Sequence, residues 1–290
     1  MTASPAPARS GESGMILINV LVIVMLATAV LAFMLASEDS QTQRSAHLRS
    51  ASEALAIARG GEMSAIVALR RDLAHDLATN NESDTLAEPW AHIADTDTRV
   101  TGGNFSFVVA DAQARFNINN LAHGDTSALG ALNALAANAG IPPAGVAAIL
   151  TWLSRHGTIR DLSELREAGL TEAQVQRLSD LCVALPLPTK VNVNTAPEAL
   201  LAIMAGDPGT AHTLVLAREK SGIAASAPIA LPPGTGVSSD YYWSRARVTN
   251  GGTSQQLTTL LHRHQDNGRP VVTAVARWRG AAPLAAPAFR

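Results

Sequence analysis

No second cysteine accompanies Cys182, so the chain holds no internal disulfide, which leaves an extracytoplasmic location open. The neighbours of that thiol, Leu178, Leu181 and Val183, are apolar and predict a buried, unreactive side chain rather than a nucleophile. There is no excess of charge of one sign either: 22 Lys and Arg stand against 24 Asp and Glu, so the total suggests no polyanion as partner. A Walker phosphate loop, His-Glu-x-x-His, Gly-x-Ser-x-Gly and paired-Cys motifs are all missing. His262 and His264 share one face of a strand pattern, but no third ligand stands near them, and an edge or surface face is their expected place. No catalytic residue and no metal ligand is assigned, and the chain is not expected to be an enzyme.

What is present is one long apolar run. From Met15 to Ala36 only Asn19 and Thr28 are polar. As a helix rising ~1.5 Å per residue it would extend roughly 33 Å, about the thickness of a bilayer's hydrocarbon core. A cleavable secretory signal has a shorter apolar core and a small-x-small site behind it, whereas Phe33, Met34 and Leu35 fill that place here. Two readings remain: a plain anchor, and a prepilin-type signal cut before the apolar helix, after a glycine. Gly14 followed by Met15 is placed for the second. Arg9 and Glu12 before the run, and Arg44 and Arg49 after it, scarcely bias its orientation.

The helical pattern continues beyond the run. Ile66, Leu69, Leu73 and Leu77 form one stripe, with Ala51, Ala54, Leu55, Ala56 and Ala58 before them. Gly60-Gly61 is the weak point and predicts a bend, and Thr79-Asn80-Asn81 ends the helix. The result is one very long helix over 15–80, its part at 37–80 outside the membrane run. Alternation over 104–110 predicts a strand, with a weaker partner near 98–101. Residues 241–249, 255–263 and 271–279 read as an antiparallel meander turned at Asn250-Gly251-Gly252 and Asp266-Asn267-Gly268.

Between the two strand regions, Ala- and Leu-rich sequence carries helix caps and no strand alternation. Thr126 or Ser127 is placed to cap a helix ending at Gly140, Pro142-Pro143 to open one reaching Leu153, Asp161 to cap Leu162–Ala168, and Thr171 to cap Glu172–Cys182. Thr195 and Pro197 would cap and start a further helix, and Gly209 precedes one reaching Arg218. The fold class is α+β: a long N-terminal helix packed on a small antiparallel sheet, with a large all-helical insertion. The sheet lobe is assigned to 90–120 and 236–280, the insertion to 121–222, a linker to 223–235, and a disordered tail to 281–290.

Three stretches carry a family resemblance. They are Asp111-Ala112-Gln113-Ala114-Arg115-Phe116-Asn117-Ile118-Asn119-Asn120-Leu121, then Leu162-Ser163-Glu164-Leu165-Arg166 with Gly169-Leu170-Thr171, and Val191-Asn192-Val193-Asn194-Thr195-Ala196-Pro197. In this order, behind a prepilin-like start, the chain resembles the K-type minor pseudopilins of type II secretion over nearly its whole length. The resemblance implies a pilin-like fold with an insertion of the SAM or helix-hairpin-helix kind. It also implies a leader over 1–14 removed by a prepilin peptidase, methylation of Met15, and a single-pass span at 15–36 in the bacterial inner membrane with the rest in the periplasm. Mature position five would be Asn19, where most pilins and pseudopilins carry Glu to meet a neighbour's terminal amine. A subunit with no predecessor in the fibre needs no such carboxylate, which places this one at the pseudopilus tip. The implied partners are the I and J minor pseudopilins and the major pseudopilin.

Read by physics alone, Asn192 and Asn194 suit Asx turns and the motif is a structural hinge without chemistry. The family is associated with calcium, but its Trp-Ile-Asp-x-Asp stretch is replaced by Trp152-Leu153-Ser154-Arg155-His156-Gly157. A hard cation needs several oxygens together and no such set can be placed, so no cofactor is expected. The alternative reading is a membrane-anchored DNA-binding protein, because Ile203 to Arg218 resembles a helix-hairpin-helix. Between Lys190 and Lys220, however, Lys190, Arg218 and Lys220 are balanced by Glu198, Asp207 and Glu219, and nucleic acid is not expected.

Overall fold

In a computed structural model of the chain, residues 12–81, 83–100, 103–125, 128–250 and 252–289 are described. They divide into two compact units, one up to Ser52 and one from Glu53 onward. Helix α1 (Glu12–Thr79, 68 residues) begins in the first and ends in the second. In the first unit Leu17–Met34 is long and apolar enough to cross a membrane, and none of it is buried. Its one hydroxyl, on Thr28, donates back to Val24 O and Met25 O at 3.0 and 2.9 Å, which satisfies it inside the helix. The predicted leader lies mostly outside the described residues, but Gly14 and Met15 already have helical backbone.

In the second unit the strand signals resolve into one antiparallel sheet. Its strands are β1 (Ala94–Val100), β2 (Gly103–Asp111), β7 (Tyr241–Asn250), β8 (Thr253–Asp266) and β9 (Arg269–Arg279), in the order β1-β2-β7-β8-β9. Asn267 (φ 51°) and Gly268 (φ 74°) take the left-handed values that a tight hairpin between β8 and β9 requires. One face carries Phe107, Val109, Tyr242, Ala246, Val248, Leu257 and Leu261, packed on Ala54, Ala58, Ala65, Ile66 and Leu69 of α1. The stripe read from the sequence is thus the buried one, with Leu73 also buried and Leu77 partly so. The bend expected at Gly60-Gly61 is not a break, because α1 runs through it. A Cβ on Gly61 would lie 3.0 Å from the Phe107 ring and 3.1 Å from Phe105, so this glycine admits two aromatic rings against the helix.

The alternate residues of the same strands, Tyr241, Trp243 and Leu260, face the second core, which belongs to the helical lobe. That lobe enters through β3 (Phe116–Asn117), which pairs in parallel with β4 (Cys182–Val183). Between them lie α2 (Ala128–Asn138), α3 (Pro143–His156), a 3-10 turn over Leu162–Arg166 and α4 (Glu172–Ser179). Beyond β4 come β5 (Val191–Asn192), α5 (Glu198–Ala205), α6 (Pro208–Ser221) and β6 (Thr235–Gly236), with β5 and β6 parallel. The insertion is therefore not all-helical. Two-residue bridges have no periodicity to read, so β3–β6 left no alternation in the sequence. The helix expected to reach Cys182 stops at Ser179 for the same reason, since Cys182 and Val183 go into β4. Asp161 and Thr171 do cap, each in a reciprocal box with Glu164 and Gln174. The caps expected at Thr126 or Ser127 lie outside the described residues.

The tail expected to be disordered packs instead. Leu284 N donates to Asp161 Oδ2 (3.1 Å), Arg115 Nη1 to Ala285 O (2.7 Å) and Arg245 Nη1 to Pro287 O (2.5 Å). Ala285 is buried, and the Phe289 ring lies under the guanidinium carbons of Arg245 and Arg247 at 4.6 and 4.3 Å. Three arginines far away in sequence hold this aperiodic segment, which composition alone could not indicate. The expected linker is likewise in contact with the helical core through Ala227, Ile229 and Leu231, and its end forms β6.

Candidate functional site

β2 ends at Asp111, and that carboxylate is the centre of a buried polar node. It accepts Gln113 N at 2.7 Å, Thr195 Oγ1 at 2.5 Å and Ser239 Oγ at 2.7 Å, and Asn192 Nδ2 lies 3.1 Å away. Burial pushes the Asp111 carboxyl up to about 6, against the pull of the Thr195 and Ser239 hydroxyls. Asn192, fully buried, also reaches Asp84 O (3.1 Å) and Ser239 Oγ (3.0 Å), and its Oδ1 accepts Asn194 N at 3.0 Å in an Asx turn. Asn194 works at long range: Ile223 N donates to its Oδ1 (2.8 Å), and its Nδ2 donates to Ile223 O (3.0 Å). The motif thus ties the strand exit, the end of α6 and the return to β7.

Two parts of the motif differ from expectation. Thr195 does not cap α5, because its hydroxyl is drawn to the buried Asp111 carboxylate. Pro197 is the residue before the first helical one and has no side-chain cap, and Glu198 opens the helix. Gly14, Met15 and Asn19 lie on α1 in the other unit, and Met15 and Asn19 are exposed.

A groove of about 480 Å³ runs beside the node, lined by His92, Asp111, Arg115, Thr195 and Arg218 among others. Its two arginines are engaged in holding backbone. Arg115 Nε donates to Asp180 O (3.2 Å), and Arg218 Nη1 to Val193 O (2.9 Å) and Ala196 O (2.5 Å). The Asn117, Asn119 and Asn120 amides act in the same way on the carbonyls of Leu187, Leu185 with Ile159, and Thr189. The arrangement supports cross-linking of segments and offers no activated nucleophile. Cys182 is fully buried and its thiol is pushed up by that burial, away from the reactive thiolate.

Sequence reasoning missed a second set of polar groups. On α1, Glu62 accepts Thr259 Oγ1 (2.7 Å) and both Nε and Nη2 of Arg277 (2.9 and 2.7 Å). Burial raises its pKa, but those bonds outweigh it and hold the carboxyl below its ordinary value. Near the end of α1 the buried guanidinium of Arg263 bridges Asp72 and Asp84. The signal for both was in the stripe itself: Glu62 follows Ala58 by four residues and Asp76 follows Leu73 by three, so carboxylates stand where the helix faces the sheet.

His262 and His264 stack on one face, ring centroids 4.6 Å apart, with Tyr241 stacked on His262. Burial and the neighbouring His264 lower the pKa of His262. Among the described residues no third His, Cys or carboxylate comes within ligand reach of the pair. The hairpin of α5 and α6 turns at left-handed Gly206 (φ 67°). The first amides of α6 are already met by a carboxylate: Asp207 accepts Thr210 N and Oγ1 at 2.7 and 2.8 Å. A phosphate at that terminus would meet the negative charge of Asp207.

No protein-family model matches the chain. It is similar to Type II secretion system protein K of Pseudomonas aeruginosa, 28% identical across 95% of this chain and 96% of that protein. It is also similar in fold to a chain in the crystal structure of the GspK-GspI-GspJ complex from the enterotoxigenic Escherichia coli Type 2 Secretion System. There the TM-score is 0.62 and the identity 19%, over 84% of this chain and 100% of that chain. The resemblance read from the three sequence stretches therefore holds for both sequence and fold.

Proposed function

We propose that this chain, which resembles type II secretion protein K over nearly its whole length, is a minor pseudopilin that caps the tip of a pseudopilus. That extended similarity carries the reading. The apolar helix Leu17–Met34 supports an inner-membrane anchor, with processing after Gly14 and methylation of Met15 preceding assembly. Apolar helices from successive subunits would pack as the fibre core once they leave lipid. The presence of GspI and GspJ in the similar complex, together with Asn19 at position five, supports a tip built with I- and J-type subunits, with the major pseudopilin added from below. The helical lobe, inserted between β2 and β7, widens the head so that no further subunit stacks above it. Its part in export across the outer membrane is by position, and no catalysis is involved.

Affinity-tagged full-length chain is expected to capture the I and J subunits from detergent extracts and to begin at Met15 by N-terminal sequencing. Gly14→Val is expected to leave the leader attached. Salt-sensitive retention of duplex DNA without capture of I and J would replace this reading by the DNA-binding one.

A further inference from the structure

The end of α1 and the segment after it meet the sheet through an unbalanced set of charges. Arg263 Nη1 lies 2.6 Å from Asp72 Oδ2 and 3.9 Å from Asp76 Oδ2, and its Nη2 bonds Asp84 Oδ1. All four side chains are less than a tenth exposed. Glu88, half-buried, has a carboxylate oxygen within 4.8 Å of those of Asp72 and Asp84, and it accepts Trp90 Nε1 at 2.6 Å. Three carboxylates thus converge on one guanidinium, and the Glu88 carboxylate stands beside two of them. The Tyr242 hydroxyl donates to Asp84 at 2.7 Å and brings no positive charge. Around this set, α1 adds the exposed His75 beside Asp76, and Asp240 and His264 line the same small cavity as Asp76, Asp84 and Arg263. Asp111 of the neighbouring node adds another carboxylate to the field of Asp84.

We propose that the last turns of α1 and the segment 83–88 are held on the sheet by a proton-linked latch, in which Asp72, Asp76 and Glu88, gathered beside the Asp84–Arg263 pair, take up protons as the cluster closes. Full ionisation would leave several like charges facing one another out of water, and retaining protons relieves that repulsion. Burial, reinforced by the neighbouring carboxylates, pushes Asp72 and Asp76 up to about 6 and Glu88 to about 7. Such groups bind protons more tightly folded than unfolded. Their contribution is complete below the ordinary carboxylate range and is lost as pH rises through about 6 to 7. The latch fastens on mild acidification and loosens in alkali. Because Asp84 also supports Asn192 and Ser239, loosening reaches the root of the helical lobe.

The test is thermal unfolding of the full chain in detergent micelles from pH 5.5 to 8.5, with amide exchange over 72–88 corrected for the intrinsic pH effect. Tm is expected to fall by at least about 4 °C between pH 5.5 and 8, and local opening to increase about tenfold. Asp76→Asn and Glu88→Gln are each expected to raise Tm at pH 8 and to flatten its dependence on pH. A Tm that stays level or rises between pH 6 and 8, or both variants keeping the parent slope, would overturn the latch. Should a variant not fold, exchange in the parent chain still decides: opening of 72–88 that does not change with pH removes the proposal.

Discussion

The two parts of α1 obey the same helical geometry and opposite sequence rules. From Leu17 to Met34 the helix is apolar on every side and every residue is exposed. From Ala54 onward only one stripe is apolar, its first members are alanines, and it is buried on the sheet. A helix apolar all round satisfies nothing within its own chain and needs lipid or other helices, whereas a one-sided helix is completed by the fold that carries it. The difference separates what the chain stabilises alone from what it leaves to its surroundings.

The sharpest way to test that separation is to damage only the self-sufficient part. Asp111→Ala removes the acceptor of Gln113 N, Thr195 Oγ1 and Ser239 Oγ and leaves buried donors unmet. A loss of about 3–5 kcal/mol is expected. Denaturant unfolding of the head should register it, while the protein still fractionates with membranes. Failure of both together would show that the two parts are not energetically distinct.

The reverse change comes next. Val24→Arg puts a charge into the apolar part, at an expected cost of about 2.5–3.5 kcal/mol for membrane insertion. Carbonate extraction should release more protein, and the thermal transition of the head should not move.

How far the comparison was legible before the structure depends on period. The apolar run, the stripe through Leu69, the hairpin at Asn267-Gly268 and the caps at Asp161 and Thr171 each repeat or punctuate locally, and each appears where the sequence places it. The node could not be assembled in the same way. Asp111 and Thr195 are 84 residues apart and Tyr242 and Asp84 are 158 apart, so no local pattern joins them. The tail escaped for a related reason, since its order comes from Arg115, Arg245 and Arg247 rather than from its own residues. The carboxylates that went unread are more instructive. Glu62 and Asp76 interrupt an apolar stripe, and a charge at such a position announces a partner across the interface.

The finest test uses adjacent glycines that the sequence treats alike. Gly60 and Gly61 sit in mid-helix, where glycine costs about 0.5–1 kcal/mol relative to alanine. A Cβ on Gly60 meets nothing within 4 Å, whereas one on Gly61 meets both phenylalanine rings. Those rings are stacked on each other with centroids 5.7 Å apart, so their freedom to retreat is small. Gly61→Val is therefore expected to destabilise the head by about 1–3 kcal/mol through overpacking. Gly60→Ala is expected to stabilise it by the full propensity difference, about 0.5–1 kcal/mol. Chemical denaturation of the two variants side by side measures the contrast. Opposite responses of neighbouring glycines follow only if one faces the sheet and the other faces away. A similar gain at both positions would mean that α1 does not approach the sheet at Gly61, and the division between its parts would have to be redrawn further along the helix.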